Sequence, residues 1–173
     1  MSLIVEDGTG LSTAESYISV AAATTYHANR GNAAWAALAS DTLREQYLRK
    51  ATDYMTQVYG LRWAGFRVDD VQALDWPRDL VPRQVSISGD IYWDDDVVPA
   101  AVANACAELA FIAITDTLAP SVGRLTKREK LGPMEVEYMD NATGYTVYRA
   151  IDGMLAPFLT SAGSSAFRNV VRA

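Results

Sequence analysis

Apolar positions recur at three- and four-residue steps along most of the first two thirds of the chain. Leu43, Tyr47, Ala51, Tyr54 and Val58 form one helical stripe, which Leu48, Met55 and Tyr59 widen. Ser40, Asp41 and Thr42 are suitable caps before it, Thr42-Leu43-Arg44-Glu45 reads as a capping box, and Gly60 stops the helix. The helical pattern reaches back to Ala33, with a break expected near Ser40. Upstream, Ser12-Thr13-Ala14-Glu15 is another capping box and predicts a helix from there to about Asn29, with Gly31 just past its end. Tyr17, Val20, Ala21 and Thr24 fall on one face of that helix. From Pro99 to about Asp116 the chain is apolar almost all round, with alanine at 100, 101, 103, 105, 107, 110 and 113. Such a helix is predicted to be central and buried on all sides. Pro99 is expected in its first turn, with Asp94, Asp95 and Asp96 near its positive end.

Elsewhere the period changes or fails. Lys127-Arg128-Glu129-Lys130 opens a predicted strand, and after Gly132-Pro133 the residues Met134, Val136 and Tyr138 alternate with Glu135 and Glu137. Asn141 to Gly144 is expected to turn and Tyr145 to Tyr148 to pair back, giving a hairpin over about 127–148. A short helix is predicted from Ile151 to Leu159, with Met154, Leu155 and Phe158 apolar. Between Leu61 and Val98 no helical period survives. Only Val85-Ser86-Ile87-Ser88 alternates like a strand. A loop of this length implies a role in function or assembly. Its tryptophans, Trp63, Trp76 and Trp93, must pack on the core or on a partner. The expected fold is therefore mainly α: a small helical bundle around a central alanine-rich helix, with a long ordered loop and a β-hairpin. One domain should cover 1–160, followed by a flexible C-terminal tail over 161–173 that stays free until something binds it.

Charge and cysteine content narrow the setting. The 173 residues carry 15 Lys and Arg against 21 Asp and Glu, a formal charge of −6. That balance argues against a general nucleic-acid coat and leaves room for a local basic patch. Cys106 is the single cysteine, so no intramolecular disulfide forms, which suits a reducing compartment. Met1 to Gly10 carries Glu6 and Asp7 and no basic residue, unlike a secretory signal. The apolar run ending at Ile114 is interrupted by Asn104 and Glu108 and falls short of the ~20 residues that span a bilayer. A soluble intracellular domain is the expectation.

Candidate chemistry is sparse. His27 is the only histidine, so neither a His-based triad nor a multi-His metal site can form, and a packing or helix-surface role is expected. Cys106, inside the apolar helix, reads as a buried inert thiol. There is no phosphate-loop, dinucleotide or nucleophile-elbow motif, and Gly8-Thr9-Gly10 is too slight to be a phosphate cradle. Asp94, Asp95 and Asp96, even with Asp90, lack the spacing and glycine of a calcium loop and read as a solvated acidic run. Arg124, Lys127, Arg128 and Lys130 form a basic cluster suited to phosphate or to an acidic partner face, or simply to solvent. Trp63 and Trp76, with Arg62, Arg67 and Arg78, suggest either a base-stacking groove or core aromatics with snorkelling arginines, the latter preferred. No enzymatic activity, catalytic residue, cofactor or metal is expected.

The order of several short elements resembles tailed-bacteriophage head–tail connector (adaptor, head-completion) proteins over roughly Leu3 to Leu159. Val5-Glu6-Asp7-Gly8-Thr9-Gly10 followed by Ala14 to Val20 is similar to that family's approach to its first helix. Gly60-Leu61-Arg62-Trp63 and Gln72-Ala73-Leu74-Asp75-Trp76-Pro77-Arg78 resemble its central signature, in which Trp76, Pro77 and Arg78 are structural. Pro99-Ala100-Ala101-Val102 and the run from Lys127 to Tyr138 match its alanine-rich helix and hairpin strand. The segment 81–96 departs from the recognised parts. The resemblance implies a virion structural protein of the neck, made in the host cytoplasm. It implies a homo-oligomeric ring, twelve-fold to match the portal, that extends the DNA channel and gives the tail its attachment platform. The implied partners are other copies of itself, the portal protein, tail-completion or tail proteins, and genomic DNA passing without sequence-specific binding; no membrane is involved. The 61–98 loop and the 127–148 hairpin, with Arg124, Lys127, Arg128 and Lys130, are then candidate subunit-interface or DNA-proximal faces. Phe167, Val170, Val171, Arg168 and Arg172 are candidates for docking the C-terminal tail on the portal. Some members are labelled DnaT-like single-stranded-DNA-binding proteins, which is the alternative reading.

Overall fold

A computed structural model describes residues 2–83, 91–119 and 148–160, together with the backbone of 128–131 and 134–137. Helix α1 spans Val20–Ala28, starting at Ser19, whose hydroxyl accepts from the Ala22 amide at 3.1 Å. The helix expected to be capped by Ser12 therefore begins seven residues later, at the Ser19 cap. The Glu15 carboxylate does not reach back to a cap at Ser12. It accepts from the Ile4 amide at 3.2 Å and from Arg49 at 2.9 Å. Residues 4–16 are paired to one another instead, with Glu15 N donating to Ile4 O at 2.7 Å and Glu6 N to Ser16 O at 2.9 Å. Partners distant in sequence outcompete the local box. Tyr17 lies before the helix, and Ala21 is exposed, while Ala23 and His27 form the buried face.

The break near Ser40 is real. Helix α2 covers Ala33–Ala36 and α3 covers Asp41–Tyr59, with the Ser40 hydroxyl accepting from Leu43 N. Arg44 clasps the junction, donating to the carbonyls of Trp35, Ala36 and Leu38. The core face of α3 is Leu48, Ala51, Thr52, Tyr54, Met55 and Tyr59, whereas Leu43, Tyr47 and Val58 are half-buried. The stripe is rotated from its expected position: the residues that seemed to widen it are its centre.

After α3, the short strands β1 (Phe66–Arg67) and β2 (Arg78–Asp79) pair antiparallel, Phe66 opposite Asp79 and Arg67 opposite Arg78. Helix α4, Ala100–Thr115, is the hub and packs against α1, α2, α3 and the later α5. Pro99 is its N-cap, one position outside the expected first turn. Val102, Ala105, Cys106, Ala107, Leu109 and Ala110 are buried, and the alanines allow close backbone approach. The expectation of burial on all sides does not hold, since Ala101, Ala103, Ile112, Ala113 and Ile114 keep part of their surface in solvent.

Strands β3 (Arg128–Leu131) and β4 (Met134–Glu137) form an antiparallel hairpin. Its reversal lies between Leu131 and Met134. Gly132-Pro133 supplies a two-residue connection, the length that most favours a tight hairpin. The expected turn at 141–144, the return strand over 145–147, Tyr138 and the strand at 85–88 lie outside the described residues, as does the segment 161–173. Helix α5, Arg149–Leu155, is followed by a 3-10 turn over Ala156–Phe158 where a single helix was expected. The protein is thus a small, mainly helical bundle around its alanine-rich helix, with a packed irregular segment and a hairpin. Among the described residues no helix is long and apolar enough to cross a membrane.

Candidate functional site

The signature Gln72 to Arg78 ties the irregular segment to the bundle. Buried Arg78 donates to the carbonyls of Ala64 at 2.7 Å, Gly65 at 2.8 Å and Asp75 at 3.1 Å. Burial lowers its pKa, and nearby Asp75 works against that. Buried Gln72 donates to the carbonyls of Leu74 and Pro77 and accepts from Asp69 N. Arg67 donates to the carbonyls of Gln72 and Leu74. Trp76 has no exposure and sits edge-on to Trp63 and Phe158, at centroid distances of 5.9 and 5.6 Å. The arginines and tryptophans of this segment therefore serve packing, and Trp63 and Trp76 offer no stacking groove. Asp75 accepts from Trp63 Nε1, while its own amide donates to the buried Tyr17 hydroxyl. Burial raises the pKa of Asp75.

With its core side thus fixed, the segment leaves many apolar side chains in solvent. Of nine exposed large hydrophobic residues among those described, all but Ile4 lie between Leu61 and Val97. Leu61 is fully exposed, and Phe66, Val71 and Ile91 keep 69%, 67% and 66% of their surface in solvent. Phe66 faces Asp79 across β1 and β2, Leu80 follows Asp79, and Pro82 is bridged to Tyr92. Arg83 N donates to Ile91 O and Trp93 N to Val81 O, so these three stretches lie side by side. Leu80 has a φ of 56°, rare for a branched side chain, and Asp79 Oδ1 accepts from its amide at 2.6 Å. Periodicity missed this face because it lies on irregular backbone. The only available signal was the number of apolar residues in a segment without a helical period.

The electrostatics around the face are acidic. Residues 2–83, 91–119 and 148–160 hold 9 Lys and Arg against 16 Asp and Glu, a net charge of −7. Six of the nine cations are held by carboxylates or backbone carbonyls: Arg30 by Glu108, Arg44 by Asp41 and α2, Arg49 by Glu15 and Glu45, Arg62 by Asp152, and Arg67 and Arg78 as above. Arg83 stacks over Trp93 at 4.6 Å. Asp94, Asp95 and Asp96 are exposed. The expected basic cluster is only partly described. Arg124 and Lys127 lie outside the described residues, and the backbone register places Arg128 opposite Glu137 and Lys130 opposite Glu135. Phe167, Arg168, Val170, Val171 and Arg172 lie outside them as well.

Three groups with chemical potential are occupied internally. The amides of Gly8, Gly10 and Leu11 converge as an anion-binding nest would, and the buried Glu6 carboxylate fills it at 3.0, 2.9 and 2.9 Å. The chain supplies its own anion, so no phosphate cradle is left there. His27 is buried against Trp35 and Phe111, with Nε2 3.1 Å from Ala107 O and Nδ1 3.0 Å from Asn32 Nδ2. The amide nitrogen is a donor only, so Nδ1 accepts and Nε2–H donates: the ring is neutral. Cys106 Sγ is buried 3.4 Å from the Thr52 hydroxyl, and burial raises its pKa. No group of acidic, His or Cys side chains suited to a metal occurs among the described residues. A groove of about 340 Å³ between α3 and the end of α4 is lined by Lys50, Asp53, Gln57 and Asp116, a mixed lining with one cation against two carboxylates that selects no ligand class.

No curated protein and no solved structure matches the chain. One family model does, over residues 1–173, and its description is "Putative DnaT-like ssDNA binding protein". A match along the whole length shows the family, and the protein belongs to it.

Proposed function

We propose that the protein is a head–tail adaptor, a structural protein of the virion neck. Copies assemble as a ring beneath the portal, extend the DNA channel and present the platform to which the tail attaches. The observation that carries this reading is the exposed apolar surface of 61–97, which holds eight of the nine exposed large hydrophobic residues among those described. A face of this kind on a small soluble bundle marks a protein–protein contact. A ring requires heterologous contacts, in which this face meets a different surface of the next subunit. The hairpin β3–β4 is the proposed counterpart, and the segment with Phe167, Val170 and Val171 the proposed portal contact. The acidic balance suits a channel wall, because a surface that repels phosphate lets the genome pass. Most cations in the described parts are already engaged within the fold, which further supports passage rather than capture.

The family's description favours a second reading, binding of single-stranded DNA. Arg83 over Trp93, beside exposed Tyr92, offers one cation and two rings, the elements of a stacking platform. Asp94, Asp95 and Asp96 directly beyond weigh against it. Native mass spectrometry with and without an oligo-dT strand separates the two. The adaptor reading expects closed rings, alone or on added portal, without DNA adducts. Monomers carrying adducts that vanish with rising salt would overturn it in favour of DNA binding through Arg124, Lys127, Arg128 and Lys130.

A further inference from the structure

We propose that the hairpin β3–β4 of one copy lays its apolar face over the exposed stretch from Phe66 to Val71 of the next copy, so that every subunit gives one hairpin and receives one. The inference rests on the adaptor reading and deepens it, by naming the two surfaces through which a ring would close.

The pairing register sorts the hairpin into two unlike faces. Residues directly opposite each other in an antiparallel pair share a face, and successive positions alternate. Arg128 opposite Glu137 and Lys130 opposite Glu135 fall on one face, which is wholly charged and balanced. Glu129 opposite Val136 and Leu131 opposite Met134 fall on the other, which is apolar but for Glu129. Among the described elements β3 and β4 pack on each other, and no helix and neither β1 nor β2 builds a packed interface with them. A two-stranded hairpin is marginal in water unless something covers its apolar side. The described bundle of its own chain does not supply that cover.

The receiving surface is one continuous stretch of chain. Every residue from Phe66 to Val71 is exposed, with Phe66, Val68 and Val71 among the exposed large hydrophobic residues. Arg67 is engaged by the carbonyl of Leu74, so the apolar side chains stand beside Asp69 and Asp70. Among the described residues β1 has β2 as its single neighbouring strand. An exposed apolar edge of this kind invites another chain.

Charge selects a second copy as the occupant. The run from Arg124 to Lys130 holds Arg124, Lys127, Arg128 and Lys130 against Glu129 alone, whereas residues 2–83, 91–119 and 148–160 carry a net −7. Two bundles repel each other, but a bundle attracts the run that leads into β3. Two hairpins packed on each other would instead bring two such cationic runs together and leave 66–71 uncovered. The giving and receiving surfaces differ, so the contact is heterologous and repeats from copy to copy.

The test is photo-crosslinking of the full chain with p-benzoylphenylalanine in place of Phe66 or Val71, both exposed and so replaceable without loss of the fold. The probe-bearing chain is mixed with an equal amount of uniformly 15N-labelled chain lacking the probe. The expected products join the probe to peptides from 124–137 that carry the heavy label, which marks them as coming from another copy. Met134→Thr with Val136→Thr keeps residues compatible with a strand but removes apolar surface, and should lower the yield about tenfold. Glu135→Gln, on the opposite face, should leave it unchanged. The same probe at exposed Ala34 on α2 should give no such products. Crosslinks only within one chain, crosslinks only to segments outside 124–137, no crosslink at all, or a yield indifferent to the paired threonines would overturn the proposal. Native mass spectrometry of the same samples separates it from the adaptor reading. Rings without these crosslinks would remove the hairpin contact and keep the adaptor. These crosslinks without rings, even on added portal, would keep the contact and remove the adaptor.

Discussion

Replacing Arg78 tests whether the irregular segment is held by one guanidinium. Arg78→Ala removes donors from three carbonyls, those of Ala64, Gly65 and Asp75, while leaving the surrounding backbone in place. Bonds from a charged donor contribute about 1.5–3 kcal/mol each, but burying the cation offsets part of that, as its lowered pKa reflects. Truncating one member of a buried charged network typically costs about 3–5 kcal/mol, and we expect this variant to fall in that range. For a chain of this size that lowers Tm by about 10 °C and the urea midpoint by about 2 M. The assay is equilibrium urea unfolding followed by tryptophan fluorescence, which reports on Trp63 and Trp76 in the same segment. Arg78→Lys should recover less than half of the loss, because a point charge cannot serve three carbonyls in fork geometry. A cost below about 1 kcal/mol for Arg78→Ala, or full rescue by lysine, would refute the reasoning.

Other outcomes follow from the same geometry. Gly8 has a φ of 104°, and a Cβ there would overlap the Asp96 carbonyl, so Gly8→Ala should cost at least about 2 kcal/mol in thermal unfolding. Gly31→Ala, at a φ of 69° with open space around it, should cost only about 1 kcal/mol. Burial holds the His27 pKa below its ordinary 6.5, so the unfolded chain takes the proton first as pH falls. Stability from this residue is therefore complete above about pH 6.5, falls as pH drops through the window below it, and is lost beneath the folded pKa. Urea midpoints measured across that range should show the slope, and His27→Gln should flatten it. Cys106 should resist maleimide in the native state and react at the rate of a free thiol in urea, a contrast that mass spectrometry reads directly.

The helical elements were legible because burial of one face leaves a period that sequence preserves. The stop at Gly60, the break at Ser40 and the alanine run of α4 were all readable in this way. The hairpin strands were legible as alternation, whereas the register that sets Leu131 opposite Met134 came only from the structure. Buried placement of Cys106 and the absence of familiar catalytic motifs also followed from residue types alone.

Tertiary structure decided the rest wherever a local signal met a stronger distant partner. Ser12 to Glu15 has the form of a cap, yet Glu15 bonds to Ile4 and Arg49, and the helix waits for Ser19. Nothing local marks Glu6 for burial, yet three backbone amides draw it inside. Arg67 and Arg78 read either as cations of a base-stacking groove or, preferably, as arginines snorkelling from core aromatics, and which carbonyls take them was set only by the fold. The exposed apolar residues of 61–97 follow no period, because those that adjoin do so through pairing between separate stretches, 66–67 with 78–79 and 82 with 92. Residue types determine what each position offers locally. Which offer is accepted depends on the groups that folding brings within hydrogen-bonding distance.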